Sequence, residues 1–351
     1  MCGVFDVKIK PLTPIWTGDE NRKCKTLRET GVLGSLRWWY EVLIRGLGGS
    51  ACDSTSDNRC PDKDGNHCDA CELFGCTGWA RKFRLEVEFN TTIPEVWVGT
   101  RKKRGNKYLK RNVAGFMANG AIVLKFIPLR KISSNEWALL NKTLEIIANY
   151  GGLGAKISQG NGVIEIVENN LPYGDRKPES AILKKEGNTI KSPNLNDFFF
   201  YKFHIKFKED ISNLIDNEVF WTRQSDHYGF IDNWENWRKL WNDYRFLPIA
   251  FHIRDGIRHL ERNKNKRHEI FGKSGKGSKI FVSHGYKIDE RMVEVRIWGY
   301  GEANNIKDKV KNQLENCLKE KLFSKRENNE FLESCSLIEE KTGKEILEGL
   351  K

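Results

Sequence analysis

The chain has 351 residues, 39 % of them hydrophobic and 11 % aromatic, which is enough apolar material for about two domains of ordinary size and excludes a disordered tail. Lys and Arg outnumber Asp and Glu by 59 to 47, a net charge of +12, and this excess favours a polyanionic partner such as a nucleic acid over a charge that only aids solubility. No run approaches the ~18 apolar residues that span a bilayer, and the N-terminus lacks the apolar core of a signal peptide, so we expect a cytoplasmic protein. In that compartment the nine cysteines are expected to be thiols or metal ligands rather than disulfides.

Hydrophobic periodicity in the first half predicts the order strand, helix, strand, strand, helix, strand. The elements are predicted at Val4–Lys10, Gly34–Leu47, Lys82–Phe89, Ala121–Ile127, Asn135–Asn149 and Gly162–Val167. This order is the split βαβ pattern of a ferredoxin-like domain. We assign residues 1–170 to such a domain, with a cysteine-rich insertion at 50–76.

The second half repeats the pattern less clearly. Residues 171–196 are polar with three prolines and are predicted to be a linker. A second ferredoxin-like domain is predicted over 197–351, which makes the whole chain an α+β fold. Its elements are predicted at Phe198–Phe207, Leu247–Leu260, Met292–Trp298 and Ile306–Leu322. Three tryptophans at helical spacing within Asp226–Arg245 favour a core or a subunit contact over a base-stacking platform.

The insertion suggests a metal site. Cys68 and Cys71 form a C-x-x-C pair, and Cys60 and Cys76 lie close enough in sequence to complete a tetrahedral thiolate set for a structural zinc ion. Cys52 and His67 are alternative ligands. Only one C-x-x-C knuckle is clean, so the other interpretation is a cluster of reduced cysteines. A redox role is disfavoured because no thioredoxin-like strand precedes the pair.

The stretch from Tyr150 to Ile166 reads YGGLGAKISQGNGVIEI. It fails the dinucleotide fingerprint because Ile157 stands where the third glycine belongs and a strand follows rather than a helix. Gly272–Lys279 also fails the Walker pattern, because Ser278 follows Gly277. The stretch instead offers bare backbone N–H groups, with Lys156, Ser158 and Gln159 as further donors for a phosphodiester backbone or a neighbouring chain. The alternative, a helix C-cap and a tight turn, accounts for Gly151 and Gly152 only.

Cations and aromatics interleave in LRETGVLGSLRWWYE, TGWARKFR and GTRKKRGNKYLKR. Such a mixture suits phosphate neutralisation and base stacking. Core packing is the alternative for Trp38 and Trp39, and it is the favoured one for Trp39, which lies near the apolar stripe of its helix. The last segment is predicted to be a basic loop between strands. The residues predicted to contact RNA are Arg28, Arg37, Trp38, Arg81, Arg101, Lys102, Lys103, Arg104, Gly152, Gly154, Lys156, Ser158 and Gln159.

Catalytic motifs are scarce. The sequence has no H-E-x-x-H and no G-x-S-x-G, and its seven histidines are scattered. Asp62 and Asp64 form the one D-x-D pair considered for two-metal nuclease work, and a solvated turn is the favoured interpretation. We predict no catalytic residues, while a metal-independent nuclease that uses a histidine stays open.

Four segments within about residues 10–165 carry a resemblance to a known family. They read TPIWTGD, LRETGVLGSLRWWYEVLIRGLGG, CDACELFGCTGWARKFRL and GGLGAKISQGNG. Together they resemble the RAMP superfamily of CRISPR proteins, in particular the head-end RAMP subunits of type III-B Cmr effector complexes. The tryptophan-bearing helix start and the C-x-x-C-x-L-F-G-C run are the specific features.

The resemblance implies two RRM-related, ferredoxin-like domains in a non-catalytic subunit that holds the 3′ part of the guide RNA and its paired target. Guide RNA, target RNA and other Cmr subunits would be the partners, and no cofactor would be required. The glycine loop of RAMP proteins carries over to Gly151–Gly162, and the arginine and tryptophan of their first helix carry over to Arg37 and Trp38. An RNP1-type motif is absent, so loops and helices, not the sheet face, would hold the RNA.

Three hypotheses follow. The first is an RNA-binding subunit of an interference complex, with affinity that falls steeply with salt. The second is a metal-independent endoribonuclease that processes guide RNA with a histidine and a tyrosine. The third is a scaffold that binds only neighbouring protein subunits.

Overall fold

The computed structural model describes residues 3–21, 23–89, 95–104, 107–117, 120–183, 186–224, 227–273 and 275–350, without the side chains of 100–109 and 182. Within these residues, no helix is long and apolar enough to cross a bilayer. The fold is mixed α/β, with antiparallel sheets in both halves of the chain.

The N-terminal half packs helices against an antiparallel sheet. Its elements are β1 (Phe5–Pro11), α1 (Glu29–Gly46), α2 (Asp69–Phe74), β2 (Phe83–Glu88), β3 (Val96–Arg104), β4 (Lys107–Val113), β5 (Ile122–Pro128), α3 (Ser134–Asn149) and β6 (Ile164–Asn169). The sheet has the strand order β2-β5-β1-β6. Alternate residues of β1, β2 and β5 are buried, as period-2 alternation predicts, and they share one core with α1 and α3.

Helix α1 begins at Glu29, five residues before the predicted start. The hydroxyl of Thr17 accepts the N–H of Arg28 at 2.9 Å, so this N–H at the helix start is satisfied by a residue far upstream rather than by a local cap. Helix α3 begins where a sequence signature places it, since Ser133 and Glu136 form a reciprocal capping box.

Residues 101–104 and 107–111 of the basic segment, predicted to be a loop, instead lie in a hairpin formed by β3 and β4. Val96, Val98 and Val113 of this hairpin lie in the core of the C-terminal half. The N–H of Gly99 donates to the carbonyl of Phe230 at 2.6 Å. The hairpin is therefore held by the other half of the chain, which is why local pattern reading missed it.

The C-terminal half has a second antiparallel sheet, with the order β12-β7-β11-β10-β8 and β9 beside β11. Its elements are β7 (Phe199–Phe207), α4 (Ile211–Asp216), α5 (Trp234–Asn242), β8 (Phe246–Leu247), α6 (Ala250–Arg258), α7 (Lys264–Phe271), β9 (Ile280–Val282), β10 (Gly285–Asp289), β11 (Met292–Gly299), α8 (Lys307–Lys321), β12 (Leu332–Thr342) and α9 (Gly343–Glu348). Helix α6 begins after the predicted Leu247, because Phe246 and Leu247 pair with β10. Trp237 and Trp241 are fully buried, which confirms the core interpretation for these two.

The two halves share side chains. Val163 lies in the C-terminal core, whereas Phe198, Phe200 and Trp298 lie in the N-terminal one. The segment predicted to be a linker contributes Leu171, Leu183 and Leu195 to the core of the N-terminal half. There the side-chain amide of Asn194 donates to the carbonyl of Arg45 at 3.1 Å.

Candidate nucleic-acid interface

The glycine loop, residues 150–162, lies between the two halves. A Cβ on Gly151 would come 2.4 Å from the ring of Trp39, and one on Gly154 would come 2.8 Å from the carbonyl of Trp16. Gly154, Gly160 and Gly162 have φ between +90° and +111°, which L side chains rarely adopt. Internal packing therefore accounts for the glycines that a helix cap and a turn left unexplained.

Lys156, predicted to clamp an RNA backbone, is half-buried and left-handed at φ 56°. Its Nζ lies 4.3 Å from the centroid of the Trp16 ring, a cation–π contact. Burial lowers the pKa of this amine. The structure thus places Lys156 against an aromatic side chain of its own chain.

Beyond this loop opens a cavity of about 700 Å³, which we call the basic cleft. The glycine loop forms one wall, the β3–β4 hairpin a second, and α6, α7 and the loop after α7 the rest. Its polar lining includes Arg111, Ser158, Gln159, Tyr228, His252, Arg254, Asp255, Arg258, His268, Lys273, Lys276 and Ser278. Of the predicted RNA contacts, Ser158 and Gln159 lie here.

Arg254 shapes the cleft. Its guanidinium donates to the carbonyls of Phe271 at 2.7 Å and Ile280 at 3.0 Å. These bonds fix both ends of the loop that carries Lys273 and Lys276. Burial, followed by repulsion from Arg258 and Arg111, lowers the pKa of Arg254 to about 10.

The cations of the basic cleft repel one another. Burial and the charge of Arg267 lower the pKa of Arg258 against the opposing charge of Asp255, and desolvation followed by Arg258 lowers that of His268. Within the described residues, no ion pair with a carboxylate involves Arg111, Arg254, Arg258, Lys273 or Lys276. Such mutual repulsion is relieved when an anion binds, so the cleft is suited to phosphate.

His252 is fixed in place at the back of the cleft. Its Nε2 accepts the indole N–H of Trp221 at 3.1 Å. Its Nδ1 lies 2.9 Å from the hydroxyl of Tyr228 and 3.2 Å from the carbonyl of Lys321. Since Nε2 is an acceptor, the proton sits on Nδ1, and neither nitrogen offers a lone pair to a substrate.

Arg28, Trp38 and Arg81, also predicted to contact RNA, are not among the residues that line the cleft. Arg28 is exposed at the start of α1, and Arg81 is half-buried after α2. Trp38 packs edge-on to Trp39 and Phe198, with ring centroids 5.0 and 6.2 Å away. The strand that contains Arg101, Lys102, Lys103 and Arg104 is described, but their side chains lie outside the described part.

Arg37 points at the cysteine insertion. Its guanidinium donates to Glu41 Oε1 at 2.8 Å, to the carbonyl of Gly75 at 2.8 Å and to the thiol of Cys71 at 3.1 Å. Burial opposes its charge, but Glu41 and Cys71 together raise its pKa above the ordinary value. All three guanidinium nitrogens are engaged, so Arg37 has an internal role in this structure.

The insertion brings four thiols together, but not the predicted four. Cys52, Cys60, Cys68 and Cys71 are buried, with sulfurs all within 4.8 Å of one another. Cys76 is only half-buried and outside this set, so Cys52, an alternative in the sequence, takes its place. The D-x-D pair is a turn, as favoured: Asp62 Oδ1 accepts the N–H groups of Asp64 and Asn66.

Sequence reasoning missed Arg254, Arg258, His268, Lys273 and Lys276. The basic segment FGKSGKGSKIF could have identified Lys273 and Lys276, but it contains neither Arg254 nor Arg258 nor His268. A basic glycine-bearing loop needs no Walker spacing to contact a long polyanion.

Comparisons with known proteins identify a family for the N-terminal half of the chain. The model of the RAMP superfamily matches residues 8–165. Residues 8–165 belong to the RAMP superfamily.

The matched region runs from β1 to β6 and includes the cysteine insertion and the glycine loop. No curated protein matches the chain significantly. Among solved structures, Cmr1 from Pyrococcus furiosus in its apo form is similar, with 12 % identity and a TM-score of 0.43 over 85 % of this chain and 88 % of that one. A chain of the type III-B Cmr-β complex bound to cognate target RNA and AMPPnP is similar with 10 % identity and a TM-score of 0.38, over 86 % and 94 %.

Proposed function

We propose that the chain is a non-catalytic RNA-binding subunit of a type III-B CRISPR effector ribonucleoprotein, acting in the cytoplasm. It holds the 3′ part of the guide RNA, its paired target, or both, and it contacts other Cmr subunits. The RAMP match over residues 8–165 and the Cmr-like motifs of the sequence support the placement. The observation that carries RNA binding is the basic cleft, which gathers Arg111, Arg254, Arg258, Lys273 and Lys276 around one cavity.

Each half has the same strand connectivity, which supports two ferredoxin-like domains. The main strands of each sheet can be numbered one to four along the chain: β1, β2, β5 and β6 in the first sheet, and β7, β10, β11 and β12 in the second. Across the first sheet the order is then 2-3-1-4. Across the second sheet it is 4-1-3-2, which is the same order seen from the other edge. We propose that both are split βαβ folds, and that the glycine loop and the basic cleft occupy the seam between them.

Two features of the cleft suit a long polyanion. Lys273 and Lys276 are exposed at its rim, whereas Arg254 and Arg258 are half-buried inside. Tyr228 and Phe251 add aromatic surface to the same lining. A rim and a floor of cations with aromatics between them fit single-stranded RNA, whose backbone is neutralised while a base stacks.

The absence of a catalytic role is also part of the proposal. Guide processing by a histidine and a tyrosine would need a histidine with a free nitrogen in the cleft, and His252 has neither nitrogen free. His268 is the remaining histidine of the described cleft lining. Incubation of the pure protein with precursor RNA in chelator should give no discrete cleavage; cleavage that is lost in His268→Ala would establish the nuclease instead.

The test of RNA binding is fluorescence anisotropy with a guide-sequence RNA across a salt series. We expect the affinity to fall steeply with salt, and the double variant Arg258→Ala/Lys273→Ala to flatten the log–log slope by about 0.7 for each phosphate of the single strand that is no longer neutralised. Arg84→Ala is the matched control, because Arg84 is exposed and paired with Glu86 on β2. Equal slopes for the wild type and the double variant would contradict the cleft as the site. Normal Cmr assembly without any RNA affinity would favour a protein-only scaffold.

A further inference from the structure

The loop between Cys52 and Cys68, within the cysteine insertion, has no hydrophobic core of its own. Between Cys52 and Cys68, the described side chains other than Cys60 are exposed or half-buried. The buried groups of this segment are the thiols themselves. A short, polar loop of this kind needs a cross-link to hold one conformation, and a metal ion can supply it.

The four sulfurs lie within 4.8 Å of one another, close enough to share one metal ion. Zn–S bonds of about 2.3 Å place such sulfurs about 3.8 Å apart, and Cys52 Sγ lies 3.6 Å from Cys71 Sγ. No pair is a disulfide. The two cysteines of the C-x-x-C pair flank the first turn of α2, where Cys68 is the N-cap residue.

Hydrogen-bond donors surround the sulfurs, as they do around metal-bound thiolates. The N–H of Cys68 donates to Cys60 Sγ at 3.2 Å, and the N–H groups of Cys52 and Cys71 donate to Cys68 Sγ at 3.4 Å. Arg37 donates to Cys71 Sγ at 3.1 Å. Each of these contacts favours the charged sulfur over the neutral thiol.

Two arginines of α1 supply positive charge beside the sulfurs. Arg45 is buried and donates to the carbonyls of Ala51 and Cys52 at 3.1 and 3.0 Å. Glu41 pairs with both Arg37 and Arg45, so the three side chains carry one net positive charge toward a site that would hold two net negative charges as zinc with four thiolates. This positive charge offsets part of the negative charge of an all-cysteine metal site, whereas four neutral thiols would not need it.

We propose that Cys52, Cys60, Cys68 and Cys71 bind one structural zinc ion, and that Arg37 is a positioning residue for this centre rather than an RNA contact. The centre closes the insertion against α1. It also secures the segment that joins the two halves, because the N–H of Ile190 donates to the carbonyl of Ala51 at 3.1 Å and the side-chain amide of Asn188 to the carbonyl of Arg59 at 2.9 Å. This inference does not depend on RNA binding.

The experiment is metal analysis of the purified full chain, expressed with zinc, by inductively coupled plasma mass spectrometry. We expect about one zinc ion per chain, near-complete loss in Cys52→Ser and retention in Cys76→Ser. Cys76→Ser is the matched control because it tests the sequence-based ligand set against the structural one. Loss of zinc in Cys76→Ser with retention in Cys52→Ser would overturn the assignment.

A second measurement protects the test against misfolding of a variant. The wild type, stripped of metal under reducing conditions, should bind Co²⁺ and develop the visible bands of a tetrahedral thiolate site, and zinc should displace them stoichiometrically. Wild-type protein that binds neither ion, or that carries iron instead, would contradict a zinc centre.

Arg37→Ala tests the role of Arg37 as a positioning residue. The variant should have a lower melting temperature and retain zinc less well against a competing chelator, while the salt dependence of RNA binding stays unchanged. A changed salt slope would overturn this role.

Discussion

The carbonyl oxygen of Gly160 accepts a hydrogen bond from the backbone N–H of His284, with the two atoms 3.0 Å apart. Gly160 ends the short turn of the glycine loop, and His284 lies between two strands of the second sheet. The loop is thereby tied to the opposite half of the chain. One wall of the basic cleft is consequently fixed by the packing between the halves.

Gly160→Ala should destabilise the protein. A Cβ there would lie 2.6 Å from both Ala250 Cβ and the imidazole of His284, and φ is +111°. We expect a loss of at least about 1–3 kcal/mol in the free energy of unfolding, since strain and overpacking act together. Urea denaturation measures it.

The control for this variant is Gly34→Ala. Gly34 is exposed within α1, and a Cβ there would meet nothing within 4 Å. The substitution should stabilise the protein by about 0.5–1 kcal/mol, the usual gain of alanine over glycine in a helix. A Gly160→Ala protein as stable as the wild type would contradict the tight junction between the halves.

Arg254→Lys should weaken RNA binding although it keeps the charge. A lysine has one donor group and cannot bridge the carbonyls of Phe271 and Ile280 as the guanidinium does. The loop with Lys273 and Lys276 would lose its anchor, and we expect the affinity to fall several-fold in the anisotropy assay. Arg258→Lys, whose side chain makes no such bridge among the described residues, should change affinity much less. Equal effects of the two lysines would argue against an anchoring role.

RNA affinity should rise as the pH falls. Desolvation and the nearby Arg258 lower the pKa of His268 below its ordinary 6.5, so the free protein holds this imidazole neutral at pH 7. A phosphate beside it would stabilise the charged form and raise its pKa in the complex. Binding then takes up a proton, and affinity should increase as the pH falls from the pKa of this imidazole in the complex to its lower pKa in the free protein, by up to about tenfold per pH unit. Dissociation constants at constant ionic strength test this, and His268→Gln should flatten the profile; an unchanged profile would remove His268 from the interface.

Arg296→Leu should destabilise the packing between the two halves of the chain. The buried Arg296 donates to the carbonyl of Ala148 in α3 at 2.5 Å and to the hydroxyl of Tyr286 at 2.9 Å. Its loss leaves the carbonyl unpaired and Glu294, 3.9 Å away, without its cation. We expect a cost of about 3–5 kcal/mol, typical of breaking a buried charged network.

Lys206→Ala is the comparison for Arg296→Leu. Lys206 is paired with Glu333 at 2.7 Å, but both side chains are exposed. An exposed pair of this kind contributes roughly 0–1 kcal/mol. If the two variants lost similar stability in thermal or urea denaturation, the proposed seam at Arg296 would be wrong.

Local patterns in the sequence predicted much of this protein. Alternation at β1, β2 and β5, the amphipathic stripe of α1 and the signature of α3 are properties of neighbouring residues, so periodicity finds them. The order of β1, α1, β2, β5, α3 and β6 along the chain, the RAMP membership of residues 8–165 and the presence of a thiol cluster followed from such patterns. The loop prediction for the basic segment was wrong, and it shows where local patterns fail. The β3–β4 hairpin is held by residues more than a hundred positions away.

The sequence by itself determined which chemical groups are present: an excess of cations, five clustered cysteines and a glycine-rich loop. Only the tertiary structure decided which of them meet. Cys52 rather than Cys76 belongs to the thiol cluster, and Arg37 and Trp38 make internal contacts. Lys156 lies against the ring of Trp16. The residues Arg111, Arg254, Arg258 and His268 line one cleft. The reason is physical: contacts between distant segments depend on how two sheets and their helices pack, and neither spacing nor composition encodes that geometry locally.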